Sequence, residues 1–340
     1  MSNSKKPFIF GCGAGWCGTT SLYMTLVENG YLHGGFTKED TFLSNLFREP
    51  QLNDRDYNKF LKLITYSEEI RLGAPYTRIQ DGVVVDVCNT EKYLSPLRKF
   101  TKSQLEYIFS LPLTAEKYIE YHTLLSEYSD DFFAATGDFN NTNFIDLWEY
   151  EQQCDLIINK LSETHNIKFL MILRDPIRAF FSVANSQFYR EKIPNITKYN
   201  SVKEYMWEQA DVYLNNPINP WHDYGKVAKK FKDKFGNNFH YVIMEDFFSS
   251  QNNEVQRLEK FLNTKITSIY PCSFVPDKGV HALRDGRKSV LVDQWNNDKE
   301  KLSDELYLFI KRHMQEVYDE FEDLHGGLPN DWGIPIDYGY

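Results

Sequence analysis

The sequence predicts a three-layer α/β fold with a central parallel sheet and a mostly helical insertion. Two observations carry this. Short apolar runs alternate with helix-patterned segments, as in β-α-β units. A glycine loop also follows the first apolar run and opens the first helix, with the spacing of a phosphate-binding loop.

The first unit lies in residues 5–30. Pro7-Phe8-Ile9-Phe10 reads as a strand, and Ser21 to Val27 has apolar residues spaced as on a helix face. Between them runs Gly13-Ala14-Gly15-Trp16-Cys17-Gly18-Thr19-Thr20. It has the spacing G-x-x-x-x-G-K-[ST], with Thr19 where the lysine belongs. In this setting the loop N–H groups and the helix N-terminus converge on one point that favours an anion. Gly15, Trp16, Cys17, Gly18, Thr19, Thr20 and Ser21 are the candidate contacts. A glycine-rich turn without a ligand is the alternative. Without the lysine, ordinary hydrolysis of a nucleoside triphosphate is disfavoured.

Residues 45–135 are rich in charged and aromatic side chains and read mainly as helices, notably Tyr57 to Ile70 and Ala115 to Tyr128. Val83 to Val87 is a strand or a helix, which periodicity does not decide. Ala134 to Phe139 reads as a core strand, Asp146 to His165 as a helix, and Lys168 to Leu173 as a buried strand. Helices are expected from Ala179 to Tyr189, Gly225 to Phe235 and Val255 to Leu262, with a strand at His240. Leu306, Ile310, Met314, Val317, Phe321 and Leu324 mark one face of a single long helix, started at Ser303 and stopped at Gly326-Gly327. No repeat or low-complexity linker interrupts the chain, so one domain over 1–340 is expected, with 45–135 as the insertion.

The strand at 168–173 runs into Arg174-Asp175-Pro176, and Ser182 follows eight residues after the arginine. With Gly18-Thr19-Thr20-Ser21-Leu22, this resembles the sulfotransferases that use 3′-phosphoadenosine 5′-phosphosulfate (PAPS), whose loop reads G-T-T-S-L and whose second motif is a strand ending in Arg, then [DN]-P, then Ser. The resemblance implies that Arg174 and Ser182 hold the 3′-phosphate. A guanidinium suits that task because it gives bidentate hydrogen bonds to a phosphate. Lys38-Glu39-Asp40-Thr41-Phe42 is similar to the K-E-x-x-F segment of carbohydrate-type members, which implies Glu39 as general base with Lys38 beside it. Exposed loop charges are the alternative there. Gly137 to Asn141 stands where the family often has G-E-K-[ST]-P, without its lysine and proline, and Met244-Glu245-Asp246-Phe247 resembles the late strand end E-D-[LF]. Lys278-Gly279 and Gly286-Arg287-Lys288 lie in the region of the family's basic loop over the 3′-phosphate, which makes Arg287 and Lys288 candidate contacts.

One departure concerns catalysis. The family usually has Lys or Arg two residues before the glycine of G-T-T, against the leaving group, whereas Trp16 stands there and no residue from Gly11 through Tyr23 is basic. Either Lys38 or Arg178 reaches in, or transfer is slow, or the chain only binds nucleotide. His33 and His122 are substitute bases. The resemblance implies PAPS as co-substrate, no metal, and a small-molecule, carbohydrate or lipid acceptor. A small-molecule kinase of the P-loop type and an inactive nucleotide-binding homologue are the alternatives.

Composition agrees with an enzyme of this kind. Of 340 residues, 42% are hydrophobic and 16% aromatic, enough for a large core. The net charge of −10 argues against nonspecific nucleic-acid or anionic-membrane binding. No apolar run approaches the roughly 20 residues of a membrane helix, and Met1 to Lys6 does not resemble a signal peptide. Five scattered cysteines show no zinc spacing, so a reduced cytoplasmic protein is expected. Cys17, at a helix N-terminus, is either a sensitive thiol or a small filler.

Overall fold

The computed structural model describes residues 5–15, 17–36, 42–48, 64–74, 77–80, 83–86, 91–180, 204, 207–208, 224–248, 253–270, 304–329 and 332. Among them are strands β1 (Lys6–Cys12), β2 (Leu32–His33), β5 (Ala135–Asn140), β6 (His165–Leu173) and β7 (Phe239–Ile243). They form one sheet in the order β2-β5-β1-β6-β7. Every pairing is parallel: Phe10 lies beside Asp138 on one flank and Phe169 on the other, Leu32 beside Ala135, and Leu170 beside His240.

Full burial explains why these strands read as continuous apolar runs. Successive side chains of a strand point to opposite faces, yet all six residues of β5 are buried. Both faces are therefore covered, as a parallel sheet with crossover helices requires. Helices α1 (Thr19–Glu28) and α6 (Ala115–Tyr128) lie against the sheet, and between them come α2 (Phe42–Arg48), a helix α3 at 64–71, α4 (Glu91–Arg98) and α5 (Lys102–Ile108). A separate antiparallel hairpin, β3 (Thr77–Gln80) and β4 (Val83–Asp86), lies within the insertion, so the Val83 segment is a strand.

The core is unusually aromatic. Phe169 of β6 stacks on Phe10 at 5.3 Å and on Phe235 at 3.7 Å between ring centroids. Phe36 and Phe42 pack with Phe100, Phe109, Tyr118 and Tyr121, so the residues after β2 share one apolar cluster with α4 to α6. Gly11 is required here: a Cβ on it would lie 2.3 Å from the Phe139 ring that packs over β1.

Two expected single helices are each broken. The segment before β6 is α7 (Asn143–Glu149) and α8 (Glu151–Ser162), hinged at Tyr150 with φ −112 and ψ 39. Tyr150 leaves helical geometry and its ring stacks on Phe47 of α2 at 5.0 Å. Beyond β6 come α9, described from 176 to 180, then α10 (Tyr224–Phe235), α11 (Met244–Phe248) and α12 (Asn253–Leu262). The C-terminal stripe is also two helices, α13 (Asp304–His313) and α14 (Gln315–His325). They meet at Met314, whose N–H still bonds Ile310 O at 3.0 Å, so the apolar stripe continues through the break. Gly326, with φ 82, ends α14 as expected.

Three histidines sit uncharged in this core. Burial lowers the pKa of His33, His122 and His240 to about 3 each. In the unfolded chain they titrate near 6.5, so between those values the unfolded state binds the extra protons and stability falls as pH falls. Burial of Asp138, raised to about 6, acts in the opposite sense over the lower part of that window. The net expectation is acid destabilisation below pH ~6.5. Replacing His122 with Leu should flatten the slope of unfolding free energy against pH by about 1.4 kcal/mol per unit. Urea titrations at pH 4.5, 5.5 and 6.5 measure it, and an unchanged slope would mean His122 is charged when folded.

Candidate functional site

All five strands of the sheet point the same way, so their C-terminal ends share one edge. That edge gathers the loop after Cys12, Asn141-Thr142 after β5, Arg174-Asp175 after β6 and Met244-Glu245 after β7. The chain leaves β1 for one flank and later crosses from β5 to β6 on the other, which makes β1 the switch point where open α/β sheets bind ligands.

The glycine loop is tied to its neighbours. Ala14 N–H donates to Ile172 O of β6 at 3.3 Å, and Cys17 N–H donates back to Ala14 O at 3.3 Å. Gly18 adopts φ 85, a left-handed conformation, and stands at the N-cap of α1 with no side chain to fill the space over the first turn. Thr19, in the position of the missing lysine, donates its hydroxyl to Asn141 Oδ1 at 2.8 Å, joining the start of α1 to the end of β5. Gly15 and Ser21 are buried, and Thr20 is partly exposed.

Cys17 is a filler. Its thiol donates to Gly15 O at 3.5 Å, and burial raises its pKa to about 12, so the sensitive-thiol alternative is set aside. The Arg174 charge opposes that rise, and the Ala14 bond ties the loop to Ile172, two residues before Arg174. The glycine loop and the strand-end arginine are thus adjacent.

Local chemistry fixes the second motif. Asp175 precedes α9, and Pro176 is its first helical residue, where proline's missing N–H costs nothing. Asp175 Oδ1 accepts the N–H of Arg178 at 3.0 Å, an N-cap bond, and also the hydroxyl of Tyr318 from α14 at 3.1 Å. Arg174 is 7% exposed.

The sequence puts the segment after Met244 on the ligand edge but gives Glu245 no role in the site. Its carboxylate lies 4.0 Å from Arg174 Nε and 3.9 Å from Arg178 Nη1. Oε1 accepts the N–H of Asp175 and Oε2 the indole N–H of Trp332, each at 3.1 Å. Burial raises its pKa and the Arg174 charge opposes that rise. The usable signal was an acid at the end of a parallel strand next to one ending in arginine.

A second polar cluster lies behind β5. Tyr118 donates to Asp138 at 2.7 Å, while Asn143 donates to Asp138 at 3.2 Å. Ser44 of α2 donates to Asp146 of α7 and pairs with Thr142 at 2.6 Å. This fastens α2, which follows the Lys38-Glu39 segment, to the end of β5.

The substitute bases are core groups. His33 is fully buried, with Nε2 bonded to Tyr93 O at 2.9 Å and Nδ1 accepting from Gly35 N–H at 3.1 Å, so neither nitrogen is left for an acceptor proton. His122 is fully buried against Phe8 and Tyr118. Trp16, Lys38, Glu39, Ser182, Arg287 and Lys288, like Lys278 and Gly286, lie outside the described residues. Among the described residues no group of His, Cys, Asp and Glu could hold a metal ion, and no helix is long and apolar enough to cross a membrane.

No protein-family model matches the chain, and no curated protein sequence matches it. Two solved structures are similar in outline. A sulfotransferase from Alicyclobacillus acidocaldarius aligns over 96% of this chain and 98% of its own, with 14% identity and a TM-score of 0.47. The sulfotransferase domain from the curacin biosynthetic pathway aligns over 96% and 99%, with 14% identity and a TM-score of 0.45. Likeness at that level transfers no activity.

Gly18 gives a direct test of the loop. A Cβ there would sit 3.3 Å from Phe248 and 3.4 Å from Met244, on top of the left-handed backbone penalty. Gly18→Ala should destabilise by more than the roughly 1–2 kcal/mol of that penalty. Gly236→Ala, at φ 53 with nothing within 4 Å, gives the backbone cost alone. Equal unfolding free energies for the two variants would show that α11 does not press on the loop.

Proposed function

We propose that this chain binds PAPS and transfers its sulfuryl group to a hydroxyl or amine. The observation that carries the proposal is the hydrogen bond from Ala14 N–H, in the glycine loop, to Ile172 O of β6, two residues before Arg174, at the sheet's switch point. It supports one nucleotide bridging the loop and the arginine. The loop N–H groups and the α1 N-terminus would take the 5′-phosphosulfate end, where negative charge develops as the sulfuryl group leaves. Arg174, with Ser182, Arg287 and Lys288, would take the 3′-phosphate.

Glu39 is the proposed general base for the acceptor proton, with Lys38 nearby as the cation that the loop lacks. His33 is removed from that role by its two backbone bonds. The acceptor is proposed to be a small molecule, sugar or lipid. A P-loop kinase is less well supported, because Thr19 replaces the lysine and turns its hydroxyl to Asn141. The reading as an inactive nucleotide-binding homologue draws on Trp16 and the absence of any basic residue from Gly11 through Tyr23.

Arg174→Ala should weaken binding of adenosine 3′,5′-bisphosphate by about 2–5 kcal/mol, the cost of truncating a buried charged partner. The loss should shrink for adenosine 5′-monophosphate. Calorimetric titration of both ligands decides it, and equal losses would remove Arg174 from the 3′-phosphate.

Turnover is tested with labelled PAPS across sugars, phenols and lipids. Glu39→Gln should keep bisphosphate affinity and lower transfer roughly 10²–10⁴-fold. Trp16→Lys should raise transfer if the leaving group lacks a cation. Tight bisphosphate binding with no transfer in wild type or Trp16→Lys would favour the inactive homologue.

A further inference from the structure

Glu245 is a buried carboxylate facing two guanidiniums, that of Arg174, to which the 3′-phosphate is assigned, and that of Arg178. Its side chain is 9% exposed, and that of Arg174 8%. The nearest guanidinium nitrogens, at 4.0 and 3.9 Å, are beyond hydrogen-bonding distance, so they meet the carboxylate through charge alone. What fixes the carboxylate is neutral: the main-chain N–H of Asp175 and the indole N–H of Trp332. Trp332 is itself seated, its ring 4.3 Å from Phe321 and its main-chain N–H bonded to Pro329 O at 3.0 Å. The carboxylate therefore cannot swing away without breaking two bonds to anchored groups.

A carboxylate so held compensates the cations while no ligand is present. When a phosphate arrives, it draws on the same positive charge and also faces a fixed negative charge in a buried setting, where like charges repel strongly.

We propose that Glu245 is the resident counter-anion of the Arg174–Arg178 pair and limits how tightly the site holds an incoming phosphate. It is a positioning residue acting through the arginines, and this rests on the proposed phosphate role of Arg174. The consequence for a transferase is a product nucleotide that leaves readily.

The test is calorimetric titration of the full chain with inorganic phosphate and with adenosine 3′,5′-bisphosphate. Gln at 245 would turn an amide N–H toward one of the two donors, so Glu245→Gln is made together with Trp332→Phe, which keeps the ring on Phe321 and removes one donor. Relative to Trp332→Phe alone, the double variant should bind both anions at least about tenfold tighter, since one buried like charge has gone. Glu245→Asp, which keeps the charge, should stay within about threefold of wild type. A structural role alone would not produce tighter binding. Equal or weaker binding in the double variant, at an unfolding midpoint close to that of Trp332→Phe, overturns the proposal.

Arg178→Gln gives an independent reading at a more exposed side chain, 16% accessible, should the double variant not fold. With one cation left against Glu245, both anions should bind at least about tenfold more weakly, and unchanged affinity also overturns the proposal. If wild type ignores the bisphosphate while the double variant gains affinity for inorganic phosphate, the nucleotide assignment fails and the counter-anion role stands.

Discussion

The pairing of β1 with β5 on one side and β6 on the other positions the glycine loop, Asn141 and Arg174 relative to one another. Five parallel hydrogen-bonded neighbours on the β5 side and six on the β6 side hold β1 in fixed register. The loop after Cys12 therefore emerges beside Asn141 and Arg174, and its own bonds to Ile172 and Asn141 follow from that register. A slip of one residue would turn Phe8 and Phe10 to the opposite face and carry the loop away from the arginine. The aromatic stack of Phe10, Phe169 and Phe235 makes such a slip costly.

An acidic chain with a proposed anion site must concentrate its positive charge locally. Here Arg174 and Arg178 leave the end of one strand and the first turn of the next helix, while Asp175 and Glu245 lie between and beneath them. Asp175 is engaged by the α9 N-terminus and Tyr318, so its charge serves structure. Glu245 is fixed by the Asp175 N–H and the Trp332 indole, and meets the guanidiniums through charge. The division of labour between the two acids comes from the hydrogen-bond donors each meets.

Much of this was legible in the sequence because it depends on local pattern. Buried parallel strands give uninterrupted apolar runs, and the Lys168 to Leu173 run proved to be the inner part of β6. Gly326 marked the end of the last helix. The breaks at Tyr150 and Met314 were not legible, since neither is Gly or Pro; tertiary packing bends the chain there while the apolar stripe runs on. His33 looked like a base because a sequence shows neither the carbonyl of Tyr93 nor the N–H of Gly35. Glu245 was hidden for the same reason: its partners come from β6, α9 and a tryptophan 87 positions away.

A site whose cations are neutralised from within differs physically from one that waits for its ligand. A buried guanidinium carries a desolvation cost that a nearby anion offsets. On the proposed reading, Glu245 supplies that anion to Arg174 and Arg178, and phosphate binding would exchange one anion's field for the combined field of two. Stability of the empty protein and tightness of the filled one are then opposed. The raised pKa of Glu245 records that tension: burial disfavours its charge, and the Arg174 guanidinium restores part of it. Trp332 and the Asp175 N–H also oppose the rise by donating to the carboxylate, which is why a residue near the end of the chain bears on a site built at the ends of β1 and β6.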